Sequence, residues 1–223
     1  DSNYSVSFVT SIFTITPAGL TVTADAGLSK VYGTVDPTLT YMITGFQGAD
    51  TEADLDTPVM IARVAGEDVG AYTITPSGAS DSNYSISFVE STFEITQAAL
   101  LVTADGGFSK VYGTTDPIFT YVITGFIGTD NEASLDTPVS ISRAAGEDVG
   151  QYIITPSGAA DINYSISFVT STFDITQSAL LVTADSGLSK VYGNNDPTLT
   201  YMITGFVNGD TEANLDTPVT NTR

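Results

Sequence analysis

The sequence predicts a mainly β protein: a tandem array of small β domains of about 80 residues, each with one short helical segment. Three observations carry this. The string "DSNYSVSFVTSIFTIT" at Asp1 returns as "DSNYSISFVESTFEIT" at Asp81 and "DINYSISFVTSTFDIT" at Asp161, a period of 80. Residues 1–80 and 81–160 are identical at 57 of 80 positions, and so long a period marks an array in which each repeat folds as one unit. Inside each repeat, apolar and polar residues alternate over short stretches bounded by Gly, Pro, Asn and Asp, which is the pattern of half-buried strands.

The elements follow in order from Ala18. "AGLTVTAD", and its copy with Leu100 and Val102, opens the repeat as a strand. After the turn "YGTVDP", "LTYMITGF" places Leu39, Tyr41 and Ile43 on one face and Thr40, Met42 and Thr44 on the other. "DTEADLDTP" breaks the habit: Ala53 and Leu55 sit amid acids, Thr51 is an N-cap, Glu52 lies in the first turn and Pro58 ends the segment. One or two helical turns fit. Val59 with Ile61 and Tyr72 with Ile74 make two further strands around "AGEDVG". Beyond "TPSGASDSN", Tyr84, Ile86 and Phe88 alternate with Ser85 and Ser87, and Phe93 pairs with Ile95. The predicted order is strand, strand, short helix, strand, strand, strand.

The predicted domains are two complete repeats, 18–97 and 98–177, flanked by the final strand region of a repeat (1–17) and the opening of another (178–223). The chain thus reads as a window on a longer array. The junctions "ITPAGLTVTAD", "ITQAALLVTAD" and "ITQSALLVTAD" hold no Gly/Ser linker, which predicts a rod rather than beads on a string. A unit of this size buries a modest core.

Composition excludes several functions. There are 26 Asp and Glu against 6 Lys and Arg, for a net charge of −20. The cations are Lys30, Lys110, Lys190, Arg63, Arg143 and Arg223, one Lys and one Arg per repeat, so no basic patch exists. Nucleic acid and anionic membranes are excluded as partners. The acidity keeps neighbouring repeats solvated and apart. Without Cys or His there are no disulfides, thiolate metal sites or thiol catalysis. No run of 18 apolar residues occurs, so no membrane insertion by a helix is expected in this segment, and no signal peptide is visible.

"SKVYGTVDPTLTYMITGF", "AGEDVGAYTITPSG" and "NYSISFVESTFEIT" together resemble the MBG-type repeat with its Lys-Val-Tyr-Gly signature. The Tyr-Gly-x-x-Asp-Pro string recurs at Tyr32, Tyr112 and Tyr192. The resemblance implies a mostly β, β-grasp-like domain in the extracellular stalk of a large bacterial surface or adhesin-like protein, with no catalytic residues. The shortness of the helical segment leaves an immunoglobulin-like sandwich open.

Several groups of residues are candidates for chemistry. Asp50, Glu52, Asp54 and Asp56 alternate like a cation loop, and calcium is the candidate cofactor there. The loop has no Gly, however, and position 54 becomes Ser134 and Asn214; an acidic first helical turn explains the cluster without metal. No cofactor is expected. Glu67 and Asp68 of "AGEDVG" read as a hairpin turn displaying two solvated acids. "NYS" at Asn3, Asn83 and Asn163 fits the N-glycosylation pattern, but the expected role is Asn shaping a turn with Tyr packed beneath. Lys30, Lys110 and Lys190 invite comparison with Lys–Asn isopeptide crosslinks; an ion pair from a surface lysine to an Asp of the same domain is the expectation. No enzyme is predicted, because neither His nor Cys is present to assemble an activated nucleophile, and a two-carboxylate glycosidase would need a cleft that so small a domain hardly offers.

The expected function is a structural spacer, a stalk segment of a long extracellular adhesin or surface fibre on a bacterial cell. Its partners would be neighbouring repeats of the same chain and like fibres. The alternative is a repeat binding module holding a glycan or surface receptor through exposed Tyr; the placement of Tyr32, Tyr41, Tyr72 and Tyr84 on apolar parity or beside turns counts against it.

Overall fold

The computed structural model describes residues 2–222; the repeat start at Asp1 and the cation Arg223 lie outside the described residues. The chain is mainly β, with tandem small β repeats. It divides into two compact units, Asp1–Ala98 with Ile162–Tyr164, and Ala99–Asp161 with Ser165–Arg223.

In the first unit the strands are β1 (Ala18–Ala24), β2 (Leu28–Val31), β3 (Tyr41–Thr44), β4 (Met60–Arg63), β5 (Gly70–Ser77), β6 (Tyr84–Val89) and β7 (Ser91–Thr96). They form two sheets, ordered β3-β1-β6 and β2-β7-β5-β4. β1 runs parallel to β6, from Ala18 opposite Tyr84 to Thr23 opposite Val89, and β2 runs parallel to β7. The opening and closing segments of the repeat therefore lie side by side through both sheets. The crossover from β3 to β4, two edge strands, carries one 3-10 turn, Glu52–Asp54. Each repeat thus pairs its opening and closing strands in parallel in two separate sheets, with a three-residue 3-10 turn in the crossover.

The alternation read from the sequence is realised in burial. Leu20 and Val22 of β1 are buried. Ala24, Ile74, Phe93 and Ile95 form a second cluster, with Leu28, Leu39, Ile61 and Tyr72 packed on it. Tyr41 and Ile43 are half-buried while Met42 and Thr44 face solvent. Phe88 departs from its expected face, since the end of β6 leaves it exposed.

The second unit repeats the plan with β8 (Ala98–Ala104), β9 (Phe108–Val111), β10 (Tyr121–Thr124), β11 (Ser140–Arg143), β12 (Gly150–Ser157), β13 (Tyr164–Val169) and β14 (Ser171–Thr176). The sheets are β10-β8-β13 and β11-β12-β14-β9. Its core is Ala104, Ile154, Phe173 and Ile175, with Phe119 edge-on to both Phe108 and Phe173 at 5.4 Å. A two-stranded antiparallel sheet, β15 (Leu181–Ala184) with β16 (Tyr201–Thr204), completes it.

Three expectations need correction. The predicted order of five strands lacks β2 and runs β6 and β7, which lie in different sheets, together as one strand. The parity of β2 is inverted, with Lys30 turned inward and Val31 exposed, so the hydrophobic pattern hides it. Lys30 and Lys110 are accordingly buried and not surface lysines. Residues 4–17, expected to be strand, take no regular secondary structure, and Tyr4, Phe8 and Phe13 are exposed.

Candidate functional site

The most organised constellation in each complete repeat is a ring of four charges. β2 turns Lys30 inward, and its ammonium pairs with Asp36 at 2.8 Å and with Glu67. Arg63, the last residue of β4, donates from Nε to Asp36 at 2.5 Å and from Nη2 to Glu67 at 2.8 Å. Each cation thus touches both anions, and the ring is neutral. Arg63 also donates from Nη1 to the carbonyls of Val64 and Gly66, and its guanidinium lies over the rings of Phe93 (5.0 Å) and Tyr72 (5.2 Å). Hydrogen bonds from Arg63 and Lys30 hold the Asp36 carboxyl down to about 2. Those from Lys30 and then Arg63 lower Glu67, while Asp36 and Glu67 raise Lys30. Lys110, Asp116, Arg143 and Glu147 form the same ring in the second unit. Lys190 pairs with Asp196.

Local structure sets up this ring. Gly33 adopts φ +77°, and both the amide and the hydroxyl of Thr34 donate to the Val31 carbonyl, at 3.0 and 2.7 Å. The chain doubles back, bringing Asp36 onto Lys30. In "AGEDVG", Gly66 sits so close to Tyr72 that a Cβ there would lie 2.2 Å from the ring. The Tyr72 hydroxyl in turn donates to the Asp68 carbonyl at 2.7 Å.

The four acids of the candidate cation loop each serve a different partner. Asp50 accepts from the Tyr84 hydroxyl at 2.7 Å, and that hydroxyl accepts from the Gln47 amide. Glu52 accepts from the Tyr41 hydroxyl. Asp54 accepts from the amide and hydroxyl of Thr51, at 2.8 and 3.0 Å, and Asp56 from the Ser82 amide at 3.1 Å. Ser134 and Asn214 accept from the amides of Asn131 and Thr211 in the same way. Asp, Ser and Asn are thus interchangeable at this position because all three can accept the capping bond. Among the described residues, no cluster of three or more His, Cys, Asp or Glu is placed to hold a metal ion.

The Asn-Tyr-Ser strings shape turns and seat tyrosines. Asn83 donates its amide to Asp81, and its carbonyl accepts from Ala18. In the first unit Asn163 clamps the "AGEDVG" hairpin: its Oδ1 accepts from the Val69 amide at 2.8 Å and its Nδ2 donates to Asp68 at 3.2 Å. Tyr164 is buried, edge-on to Tyr32 at 5.5 Å.

The sequence matches the model of the MBG domain, YGX type, over residues 20–94, 100–174 and 180–223. The chain belongs to the YGX-type MBG family. No curated protein matches it. In these MBG repeats the Tyr-Gly-x stretch is Tyr32-Gly33-Thr34, Tyr112-Gly113-Thr114 and Tyr192-Gly193-Asn194. Its chemistry is conformational, because the left-handed glycine and the back-bonded third residue close the turn that positions the ring's Asp. The sequence reading paired Lys30 with an Asp of its own domain, and the ring contains that pair. It had no place for Arg63 and Arg143. The available signal was one Lys and one Arg recurring at fixed positions in so acidic a chain.

Proposed function

We propose that this chain is a structural spacer, a tandem β-repeat segment of a long protein exposed on a bacterial cell surface, which projects a distal binding region outward. In this reading it has no catalytic activity, needs no cofactor, and has neighbouring repeats and like fibres as partners. The observation that carries it is the use made of the reactive side chains. The Lys and Arg of each complete repeat are spent on an internal ring, and the hydroxyls of Tyr41, Tyr72 and Tyr84 donate within their own repeat. Repeats so alike suit a role that needs length and sameness. No helix among the described residues is long and apolar enough to cross a membrane.

A glycan array screen with the purified chain tests the reading. No reproducible binding is expected, and saturable binding abolished by a Tyr→Ala change would replace the spacer with a binding module. Small-angle scattering adds a second test. The linker-free junctions lead us to expect at least about 25 Å of length per repeat, and a globular profile would refute this.

A further inference from the structure

In each complete repeat, residues of the repeat that follows touch the Tyr-Gly turn. In the second unit the Tyr112 hydroxyl donates to the Asp210 carboxylate at 2.9 Å. A Cβ on Gly113 would lie 2.5 Å from Cγ2 of Val207. Val207 and Asp210 are tied into one turn, since the Asp210 amide donates to the Val207 carbonyl at 2.9 Å. In the first unit Tyr164 stands edge-on to Tyr32, and Asn163 bonds to Val69 and Asp68. Gln97 also donates its side-chain amide to the Ile162 carbonyl at 3.2 Å.

Neither signature residue is accounted for by its own repeat alone. The Tyr112 ring packs on the core of its repeat, a task that Phe108 and Phe119 perform there without a hydroxyl; the hydroxyl is directed to Asp210. Left-handed backbone does not by itself demand glycine either. Positions 48, 128 and 208 share it, at φ +65°, +60° and +55°, and Asn fills the last. At Gly113 φ is +86°, and Val207 occupies the space a side chain would need.

We propose that the Tyr-Gly turn, with the Asp-Val pair of the adjoining hairpin, is a docking seat for the following repeat, and that its Tyr and Gly are the recognition residues. The seat receives the turn 207–210 in the second unit and the Asn163-Tyr164 pair in the first. Its hydroxyl selects a carboxylate, and its glycine admits a close apolar contact. This holds whether the array serves as a spacer or as a binding module, so it stands or falls apart from the spacer reading.

Amide hydrogen exchange of the full chain, read by mass spectrometry on peptic fragments, tests the seat. Tyr112→Phe keeps the ring and removes one hydrogen bond, so exchange in the turn 205–210 should rise about 5-fold or more, with β12 and β14 unchanged. Gly113→Asn should loosen the same turn. Gly107→Asn, at φ +83° with nothing within 4 Å, should leave it as in wild type. Asn163→Ala should speed exchange in the hairpin 66–70, where Val69 loses its acceptor. A wild-type turn 205–210 that exchanges like an unfolded chain would overturn the proposal. So would Tyr112→Phe if it left the turn unchanged or loosened β12 and β14 as much, and so would equal effects of the two glycine variants.

Discussion

Replacing Asp36 with Asn removes one anion from the first ring without changing its shape, and its effect should depend on pH in a defined way. The Asp36 carboxyl is held at about 2, against 3.8 when unperturbed. At about 1.36 kcal/mol per pKa unit this difference corresponds to about 2.4 kcal/mol. The Asp36 side chain is 35% exposed, so solvent screening reduces the figure to about 1–1.5 kcal/mol. Stranding the Lys30 ammonium, whose side chain is only 3% exposed, with Glu67 alone adds to the loss. A total near 2 kcal/mol at neutral pH is expected, roughly 8 °C or more in melting temperature for a domain of this size. Because the folded pKa lies below the unfolded one, the stabilisation is complete above about pH 4 and disappears as pH falls through about 2. Urea unfolding of wild type and Asp36→Asn at pH 7, 4 and 2 measures this, and the gap between their midpoints should close towards pH 2. A gap equally wide at pH 2 and pH 7 would show that the ring's electrostatics are not its cause.

Gly66→Ala forces a Cβ into the Tyr72 ring at a backbone φ of +153°; a loss of at least about 2 kcal/mol in urea unfolding is expected, and a neutral result would refute the close approach. Asp54→Ala should cost about 1 kcal/mol while Asp54→Asn and Asp54→Ser cost little, a pattern that comparative thermal melts will separate from a metal-ligand role, in which Ser would fail. Calcium against chelator should leave the melting temperature within a few degrees, because the four acids of the loop are committed to separate partners; a rise of more than about 10 °C would require specific binding. Ile74→Ala, at a site with 0% exposure, should cost about 2–5 kcal/mol, read as a lower urea midpoint with unchanged slope.

Repetition and alternation made the strands legible, and Thr51, Glu52 and Pro58 marked the helical turn from the sequence alone. What stayed hidden involved charges facing inward. β2 escaped notice because Lys30 occupies the core parity that an apolar residue would normally hold. The ring joins residues 27 and 37 positions apart, across a turn and two sheet edges, so no local pattern announces it. The acids of the Asp50–Asp56 segment read alike in sequence, yet their hydrogen bonds to Tyr41, Tyr84, Thr51 and Ser82 come from a strand, a second strand, their own turn and a loop. The cap geometry gives the reason for the variation at positions 54, 134 and 214, since Asp, Ser and Asn all accept from the amide three residues earlier.

The rings also decide what a neighbouring molecule meets. Lys30, Arg63, Lys110 and Arg143 show between 3% and 8% of their side chains to solvent, so the outer surface presents carboxylates almost without counterpoise. A dense layer of such chains would behave as a polyelectrolyte brush. It would draw in mobile cations, swell as salt is diluted, and hold adjacent layers apart over a range set by the Debye length, about 8 Å at physiological ionic strength.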